Sequence, residues 1–173
     1  MDNGLKRFAL AQDDPREGYV MALRELRAGR KFSHWIWYIF PQLRGLGRSE
    51  YSSLYGIESF EEAKKYLEDP LLGRRIRNIS GVLLIHAGKD ITEIMGGRTD
   101  AMKLFSSMTL FDSVSPGEVF GKVLDAFYGG RRDVRTLRLL GIDSAPVGNT
   151  PGGGPKEYQR LGDNVIRPCF GLT

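Results

Sequence analysis

The sequence predicts an all-α fold, a compact single domain in which several helices pack as an orthogonal bundle. Apolar residues recur at three- and four-residue spacing from the start of the chain to about residue 141. Helix-capping residues precede several of these stretches. No segment alternates apolar and polar residues over enough positions to make a good strand. We therefore expect a helical domain over residues 5–141.

Two helices are expected near the N-terminus. Phe8 lies in the first, which Asp14 and Pro15 interrupt. Pro15 suits the first turn of the second helix, because its fixed φ fits there and its missing N–H is not needed. The second helix carries an apolar stripe that ends with Leu26. Gly29 is expected to stop it.

Three capping boxes predict the starts of later helices, since Ser or Asp is followed three positions on by Glu: Ser59–Glu62, Asp90–Glu93 and Ser115–Glu118. In the third box, Pro116 would occupy the first helical position. Asp69 and Pro70 start another helix, whose apolar stripe consists of Leu72, Ile76, Ile79 and Leu83. Asp133 is expected to cap the last helix, which Gly141 ends.

The composition beyond residue 141 differs from the rest of the chain. Residues 146–155 contain three prolines and four glycines. Such a composition is typical of a flexible linker. We therefore expect residues 142–173 to form a Pro/Gly-rich linker and tail, with the later part either docked on the domain or loose.

Length and charge narrow the class of protein. The chain has 173 residues, of which 41% are hydrophobic and 27% charged, as in an ordinary globular domain. Lys and Arg outnumber Asp and Glu by 25 to 21, which gives a net charge of +4. This mild excess fits an anionic small molecule, weak nucleic-acid contacts or a solvated basic surface.

The remaining compositional signals point to a soluble, cytoplasmic protein without a cofactor. Cys169 is the single cysteine, so no internal disulfide can form. The chain opens without a signal-peptide pattern, and its longest apolar run is 35–41, far below the roughly 20 residues that span a bilayer. With only His34 and His86 present, a histidine-rich metal site is excluded. No dinucleotide-binding fingerprint follows a strand.

Residues 33–42 form the first candidate site. They contain both tryptophans, Trp35 and Trp37, together with His34, Tyr38 and Gln42. If the segment is helical, His34 and Tyr38 share a face. One interpretation is an aromatic wall that stacks a flat ligand, with His34 or Gln42 reading its polar edge. The other is an aromatic core whose polar tips bond to the backbone.

Residues 45–49 form a second candidate, Gly-Leu-Gly-Arg-Ser. Its glycines would allow backbone amides to converge on an anion, and Arg48 adds a positive charge. The P-loop ending is absent, so an ordinary turn is the main alternative. The arginines at 74, 75 and 77 are interpreted as a solvated helix face.

Residues 97–111 form the third candidate. On a helical wheel, Asp100, Lys103, Ser106 and Ser107 fall within an arc of about 120°. A solvent-exposed face would give this pattern. Adjacent small hydroxyls are nevertheless poor choices for an exposed helix, where long charged residues are favoured. A pocket floor is the other interpretation, in which Lys103 holds an anion and Asp100 orients Lys103 or a water.

Taken together, these motifs resemble the family called domain of unknown function 1810, and the similarity covers about residues 5–141. The residues that carry it are Phe8, Ala11-Gln12, Tyr19, Ala22-Leu23, Glu25-Leu26, Lys31, Ser33-His34-Trp35, Ile39-Phe40-Pro41-Gln42, Gly45-Leu46-Gly47, Tyr55, Ala63, Tyr66-Leu67, Pro70, Leu72-Gly73, Asp100, Lys103 and Ser106-Ser107-Met108-Thr109-Leu110-Phe111. The resemblance implies a compact all-helical fold and brings no established activity. Members are sometimes labelled calpastatin, but this chain lacks the repetitive, disordered composition of such an inhibitor.

A more distant similarity is to the NADAR helical domains. It depends on the order of three features along the chain: Leu46-Gly47-Arg48, then a helix with Lys, then Phe and Leu. Those domains are associated with ADP-ribose-type and other N-glycosidic substrates. This similarity is an analogy at the level of the fold.

The leading hypothesis is a pocket for a nucleotide-like or ADP-ribose-like, phosphate-bearing molecule, with N-glycosidic hydrolysis as the most concrete reaction. Catalytic roles are predicted for Asp100, His34 and Lys103, with Asp100 positioning or activating water. Ligand-binding roles are predicted for Trp35, Trp37, Tyr38, Gln42, Arg48, Tyr55, Ser106 and Ser107. The alternative is a non-catalytic protein-interaction or regulatory domain. Nucleic-acid binding ranks last, because acidic residues are distributed along the same chain.

Overall fold

The computed structural model describes residues 4–142, and over this range the all-α prediction is confirmed. Ten α-helices follow one another, with a 3-10 turn at Leu84–His86 between α6 and α7. Their bounds are α1 Lys6–Gln12, α2 Tyr19–Arg27, α3 Ile36–Ile39, α4 Glu50–Leu54, α5 Phe60–Glu68, α6 Leu72–Leu83, α7 Ile91–Ile94, α8 Arg98–Val114, α9 Val119–Tyr128 and α10 Val134–Leu139. A lone parallel bridge joins Leu43 to Ile57.

Helix α8 lies at the centre of the domain. It is the longest helix, with 17 residues, and it packs against α3, α5, α7, α9 and α10. Leu104, Met108 and Phe111 recur at three- and four-residue spacing along it and are fully buried. Because α8 is covered on several sides, its polar residues must either find partners or face a cavity.

The first turn of α2 lies later than the sequence predicts. The helix begins at Tyr19, so the expectation that Pro15 occupies its first turn is wrong. Asp14 accepts hydrogen bonds from the backbone amides of Arg16 and Glu17, which holds these residues in a turn. Gly29 adopts a φ of 80° just after the helix, so the predicted stop is confirmed.

Most of the predicted caps are confirmed, and one is wrong. The side chains of Ser59, Asp90 and Asp133 accept hydrogen bonds from backbone amides at the starts of α5, α7 and α10. Ser115, in contrast, ends α8, and α9 begins at Val119 with Glu118 as its N-cap. The Ser115 hydroxyl donates to the Glu118 carboxylate at 2.6 Å. The pair therefore holds a turn between two helices, and Pro116 precedes the second helix.

The aromatic segment 33–42 contains only one helical turn, α3. Glu25 explains why the helix does not start earlier. Its carboxylate accepts hydrogen bonds from the amides of Phe32 and Ser33, from the Ser33 hydroxyl and from Trp35 Nε1. These bonds fix the chain in a non-helical course ahead of α3. His34 therefore lies outside the helix and does not share a helical face with Tyr38.

Other expectations concern α6 and the tail. The stripe of Leu72, Ile76, Ile79 and Leu83 is buried in α6, as predicted. Of the linker and tail expected over residues 142–173, all but Ile142 lies outside the described residues. Among the helices between residues 4 and 142, none is long and apolar enough to cross a membrane.

Candidate functional site

A cleft of about 790 Å³ opens beside α8. Three parts of the chain form its walls. The first is α3 with the loop that follows it, the second is the N-terminal half of α8, and the third is the end of α9 with the start of α10. Its volume lies within the range of about 300–1,000 Å³ that is typical of small-molecule sites.

The first wall presents an indole and a primary amide. The Trp37 ring contacts Lys103, whose Nζ lies 4.3 Å from the ring centroid, and it packs against Tyr51 at a centroid distance of 5.0 Å. These contacts leave less of the indole free for stacking. Gln42 is only 8% exposed, and its side-chain amide has no hydrogen-bond partner within residues 4–142.

The glycine loop on this wall is closely packed. A Cβ at Gly47 would stand 2.2 Å from Ser52 Oγ, so the loop can approach α4 only because this residue lacks a side chain. Ser49 caps α4 by accepting a hydrogen bond from the Ser52 amide at 3.1 Å. The tight turn leaves Arg48 exposed at the edge of the cleft. An anion held by these backbone amides stays a prediction.

The second wall contains a chain of charges. Asp100 accepts from Lys103 at 2.9 Å and pairs with Lys31 at 2.6 Å. Lys31 is 6% exposed and lies over the Trp35 ring, 5.0 Å from its centroid. Burial by itself raises the pKa of Asp100, but the hydrogen bonds and charges of both lysines outweigh it and lower the pKa below its ordinary value. The carboxylate is therefore a fixed anchor for Lys103 and a weak base.

Replacing Asp100 with asparagine is expected to reduce the free energy of unfolding at neutral pH by about 1.5–3 kcal/mol, the range for hydrogen bonds to charged groups. Because the folded-state pKa of Asp100 is lowered, its contribution is complete above the ordinary value of 3.8 and is lost as the pH falls below it. Urea unfolding at several pH values should show the two proteins converging in acid. A difference that persists unchanged below that pH would contradict this assignment.

The third wall carries residues that the sequence analysis treated only as a helix start. Asp133 is 8% exposed and caps α10, and its carboxylate also accepts from the hydroxyls of Ser106 and Thr136, each at 2.7 Å. Arg131 and Arg135 lie beside it along the cleft. In the sequence, arginines cluster around an N-cap aspartate here, and this cluster could have suggested a site. The spacing of the residues does not show, however, that this turn faces α8.

Positive charge dominates the lining. Five cationic side chains line the cleft against one carboxylate, that of Asp133: Arg48, Lys103, Arg131, Arg132 and Arg135. Lys103 is paired with Asp100, and Arg132 binds Asp112 at 2.7 Å. Within the described part of the chain, the other three arginines have no carboxylate partner. Arg131 donates to the Tyr128 carbonyl and Arg135 to that of Leu46.

Five of the residues predicted from the sequence come together on this cleft: Trp37, Gln42, Arg48, Lys103 and Ser106. Before folding they lie in three separate motifs. Ser106 lines the cleft, where its hydroxyl donates to Asp133. The structure thus brings the three candidate segments to one place.

The other predicted residues do not line the cleft. Trp35 is fully buried and donates to Glu25 at 2.8 Å. Tyr38 is buried and donates to the Glu17 carbonyl at 2.9 Å, and burial raises the pKa of its phenol. These two side chains belong to the core, as the second interpretation of the aromatic segment has it.

The remaining four also lie elsewhere. Ser107 is fully buried, and its hydroxyl has no partner in the described range. Tyr55 packs against Tyr38 at a ring-centroid distance of 5.2 Å. His34 is exposed, Asp100 is paired with Lys103, and neither is among the lining residues. Within residues 4–142, no group of three His, Cys, Asp or Glu side chains is placed to hold a metal ion.

Comparisons with known proteins agree with the helical fold. The chain is 46% identical to the conserved hypothetical protein Rv1873 from Mycobacterium tuberculosis, known from a crystal structure at 1.38 Å. The match covers 80% of this chain and 97% of that one, with a TM-score of 0.74. No protein of curated function matches the sequence. The model of a protein family of unknown function, DUF1810, matches residues 2–140, and the chain therefore belongs to the DUF1810 family.

Proposed function

We propose that the cleft beside α8 binds a small, phosphate-bearing molecule of the nucleotide or sugar-phosphate class. The observation that supports this most directly is the group of three arginines on the lining, at 48, 131 and 135, that have no carboxylate partner in the described part of the chain. Outside the cleft some arginines are paired, as Arg7 is with Glu62, and others are unpaired within residues 4–142 on the open surface, as Arg24 is. What distinguishes these three is that they lie together on one concave surface. Unneutralised guanidinium groups on a concave surface favour an anionic ligand.

Arginine binds phosphate with a more defined geometry than a point charge such as a lysine ammonium. Its planar guanidinium presents several N–H donors in a fixed fork that matches two phosphate oxygens. Arg135 reaches the Leu46 carbonyl at 3.3 Å, which brings its side chain next to the loop that carries Arg48. In this proposal these two arginines and Arg131 hold the phosphate. Lys103 contributes less, since Asp100 already neutralises it in part.

The apolar part of the lining would hold the rest of the ligand. Phe105 and Met102 line the cleft, and the Phe105 ring stacks on Tyr128 at a centroid distance of 4.6 Å. Trp37 lies on the first wall. Such a mixture of apolar surface and a few polar groups is typical of sites that bury most of a small ligand.

Hydrolysis of an N-glycosidic bond would need a carboxylate that faces the ligand and can act on water. Asp100 is engaged by two lysines and lies off the lining, and His34 is also absent from it. Asp133 is the carboxylate that lines the cleft. For a hydrolytic reaction we therefore propose Asp133 as the carboxylate that acts on water. Binding without hydrolysis is the simpler function. We place either activity in the cytoplasm.

A double substitution, Arg131→Gln with Arg135→Gln, is expected to weaken binding of AMP by about a hundred-fold or more, because each lost charge-assisted hydrogen bond costs about 1.5–3 kcal/mol. Isothermal titration calorimetry at low salt measures this directly. Thermal shift against nucleotides, ribose 5-phosphate and pyrophosphate screens for the better ligand.

Arg138→Gln is the matched control, since Arg138 is exposed on α10 and does not line the cleft. It should leave both the affinity and the thermal shift unchanged. If no compound in the panel raises the melting temperature of the wild-type protein, the ligand-binding proposal fails. The protein-interaction domain then becomes the better interpretation.

A further inference from the structure

Two buried polar side chains on the cleft have hydrogen-bonding capacity to spare, and they lie on different walls. Gln42 follows α3, and Asp133 precedes α10. Each is only 8% exposed. Buried polar groups are nearly always hydrogen-bonded, so spare capacity on a cavity wall is available to a ligand.

Gln42 has the larger unmet requirement. Its amide can donate two hydrogen bonds and accept two. Within residues 4–142 its side chain makes none, although its backbone carbonyl accepts from the Ile57 amide at 2.9 Å. The glycine loop passes near it, since a Cβ added at Gly47 would lie 3.2 Å from Gln42 Nε2. The amide lies beside this loop and lines the cleft.

Asp133 has little capacity left, which limits what it can recognise. A carboxylate accepts about four hydrogen bonds through its two oxygens. Oδ2 accepts from Ser106 and Thr136, and Oδ1 accepts from the Arg135 amide at 3.1 Å. One position on Oδ1 remains. Asp133 can therefore take a single donor, but it cannot pair through both oxygens with the edge of a nucleobase.

We infer that Gln42 and Asp133 form a hydroxyl-binding subsite for the sugar of a nucleotide or sugar phosphate. This inference rests on the proposed function, because the arginines must hold the phosphate. One hydroxyl donates to Asp133 Oδ1. A hydroxyl both donates and accepts, so the Gln42 amide can satisfy another from either of its ends.

Charge decides which part of the ligand meets Asp133, although Arg131 and Arg135 lie beside it on the same wall. The Asp133 carboxylate repels an anion, whereas the guanidinium groups attract it. The phosphate is therefore expected to contact the arginines, and the neutral, hydrogen-bond-donating part of the ligand is expected to contact Asp133. Inorganic pyrophosphate would contact the arginines and leave the hydroxyl-binding subsite without a partner.

The test compares AMP with 2′,3′-dideoxyadenosine monophosphate, which differs only in the two sugar hydroxyls. Calorimetric titration of the wild-type protein should give a dissociation constant at least about ten-fold lower for AMP, because a site built to bond a hydroxyl rejects the analogue that lacks it. Gln42→Met and Asp133→Asn should each bring this ratio closer to one. The asparagine side chain keeps an oxygen that can cap α10, so the helix start is preserved.

Thr136→Val is the matched control. It removes a hydroxyl bonded to Asp133 Oδ2 from a residue that does not line the cleft, so the ratio should remain. Equal affinity of the wild-type protein for both nucleotides overturns the subsite and leaves the proposed function intact. If neither the nucleotides nor ribose 5-phosphate nor pyrophosphate binds, the proposed function and the subsite both fall. Gln42→Met decides the matter should the Asp133 variant fail to fold.

Discussion

Replacing Trp35 with alanine is expected to lower the free energy of unfolding by about 3–5 kcal/mol, the range for deleting a large buried aromatic side chain. The indole is fully buried and packs against Phe40 at a ring-centroid distance of 6.2 Å. Its N–H also donates to Glu25, which organises the entry to α3. The substitution therefore removes both a core side chain and part of the hydrogen bonding that fixes this segment. Urea unfolding followed by circular dichroism measures the loss.

Trp35→Phe separates these two contributions. It keeps most of the buried ring and removes the hydrogen bond to Glu25, so the expected loss is smaller than for alanine. Burial raises the pKa of Glu25, but hydrogen bonds from Ser33, Phe32 and Trp35 outweigh it and keep the pKa below its ordinary value. Glu25 therefore retains other donors in the phenylalanine variant. A loss below about 1 kcal/mol for Trp35→Ala would show that Trp35 does not support the core as described.

The second large effect is expected at Gly73, in the first turn of α6. A Cβ at this position would stand 2.1 Å from the carbonyl oxygen of Leu67. Because the obstacle is the backbone of α5 and not a flexible side chain, α5 and α6 would have to move apart. Gly73→Ala is expected to cost about 1–3 kcal/mol, the usual cost of overpacking. Urea unfolding of this variant beside the wild-type protein provides the measurement.

Gly81 in the same helix is the matched control. A Cβ there meets nothing within 4 Å. Gly81→Ala should therefore stabilise the protein by about 0.5–1 kcal/mol, because alanine loses less conformational freedom in a helix. Opposite signs for one substitution in one helix would establish the close contact between α5 and α6. Equal effects at both positions would contradict it.

The helices were predictable from the sequence where the cap and the apolar stripe agree. The stripe of α6 and the caps at Ser59 and Asp133 depend on residues close together in the chain, and these predictions are confirmed. Local rules failed where a side chain that accepts hydrogen bonds from the backbone decides its course, as Asp14 does after Pro15. Pro15 suited a helix start in isolation, and Glu25 draws the chain before α3 out of the helical pattern.

The candidate site was predictable only where its residues lie close together in the sequence. The wheel of α8 grouped Lys103 with Ser106, which both line the cleft, and the loop supplied Arg48. Asp133 looked like an ordinary helix cap, because the sequence cannot show that this cap faces Ser106 across 27 positions. The sequence did not show whether the aromatic segment belongs to the core or to the site. In the structure Trp35 belongs to the core and Trp37 lines the cleft.

That division between the tryptophans makes them two optical reporters of different processes. Trp35 is sealed in the core, so its emission follows unfolding of the domain. Trp37 lines the cleft and touches Lys103 and Tyr51, so its emission is sensitive to whatever rearranges those neighbours. These two are the chain's only tryptophans. In a variant with phenylalanine at position 35, tryptophan emission therefore comes from Trp37 alone and reports on the cleft.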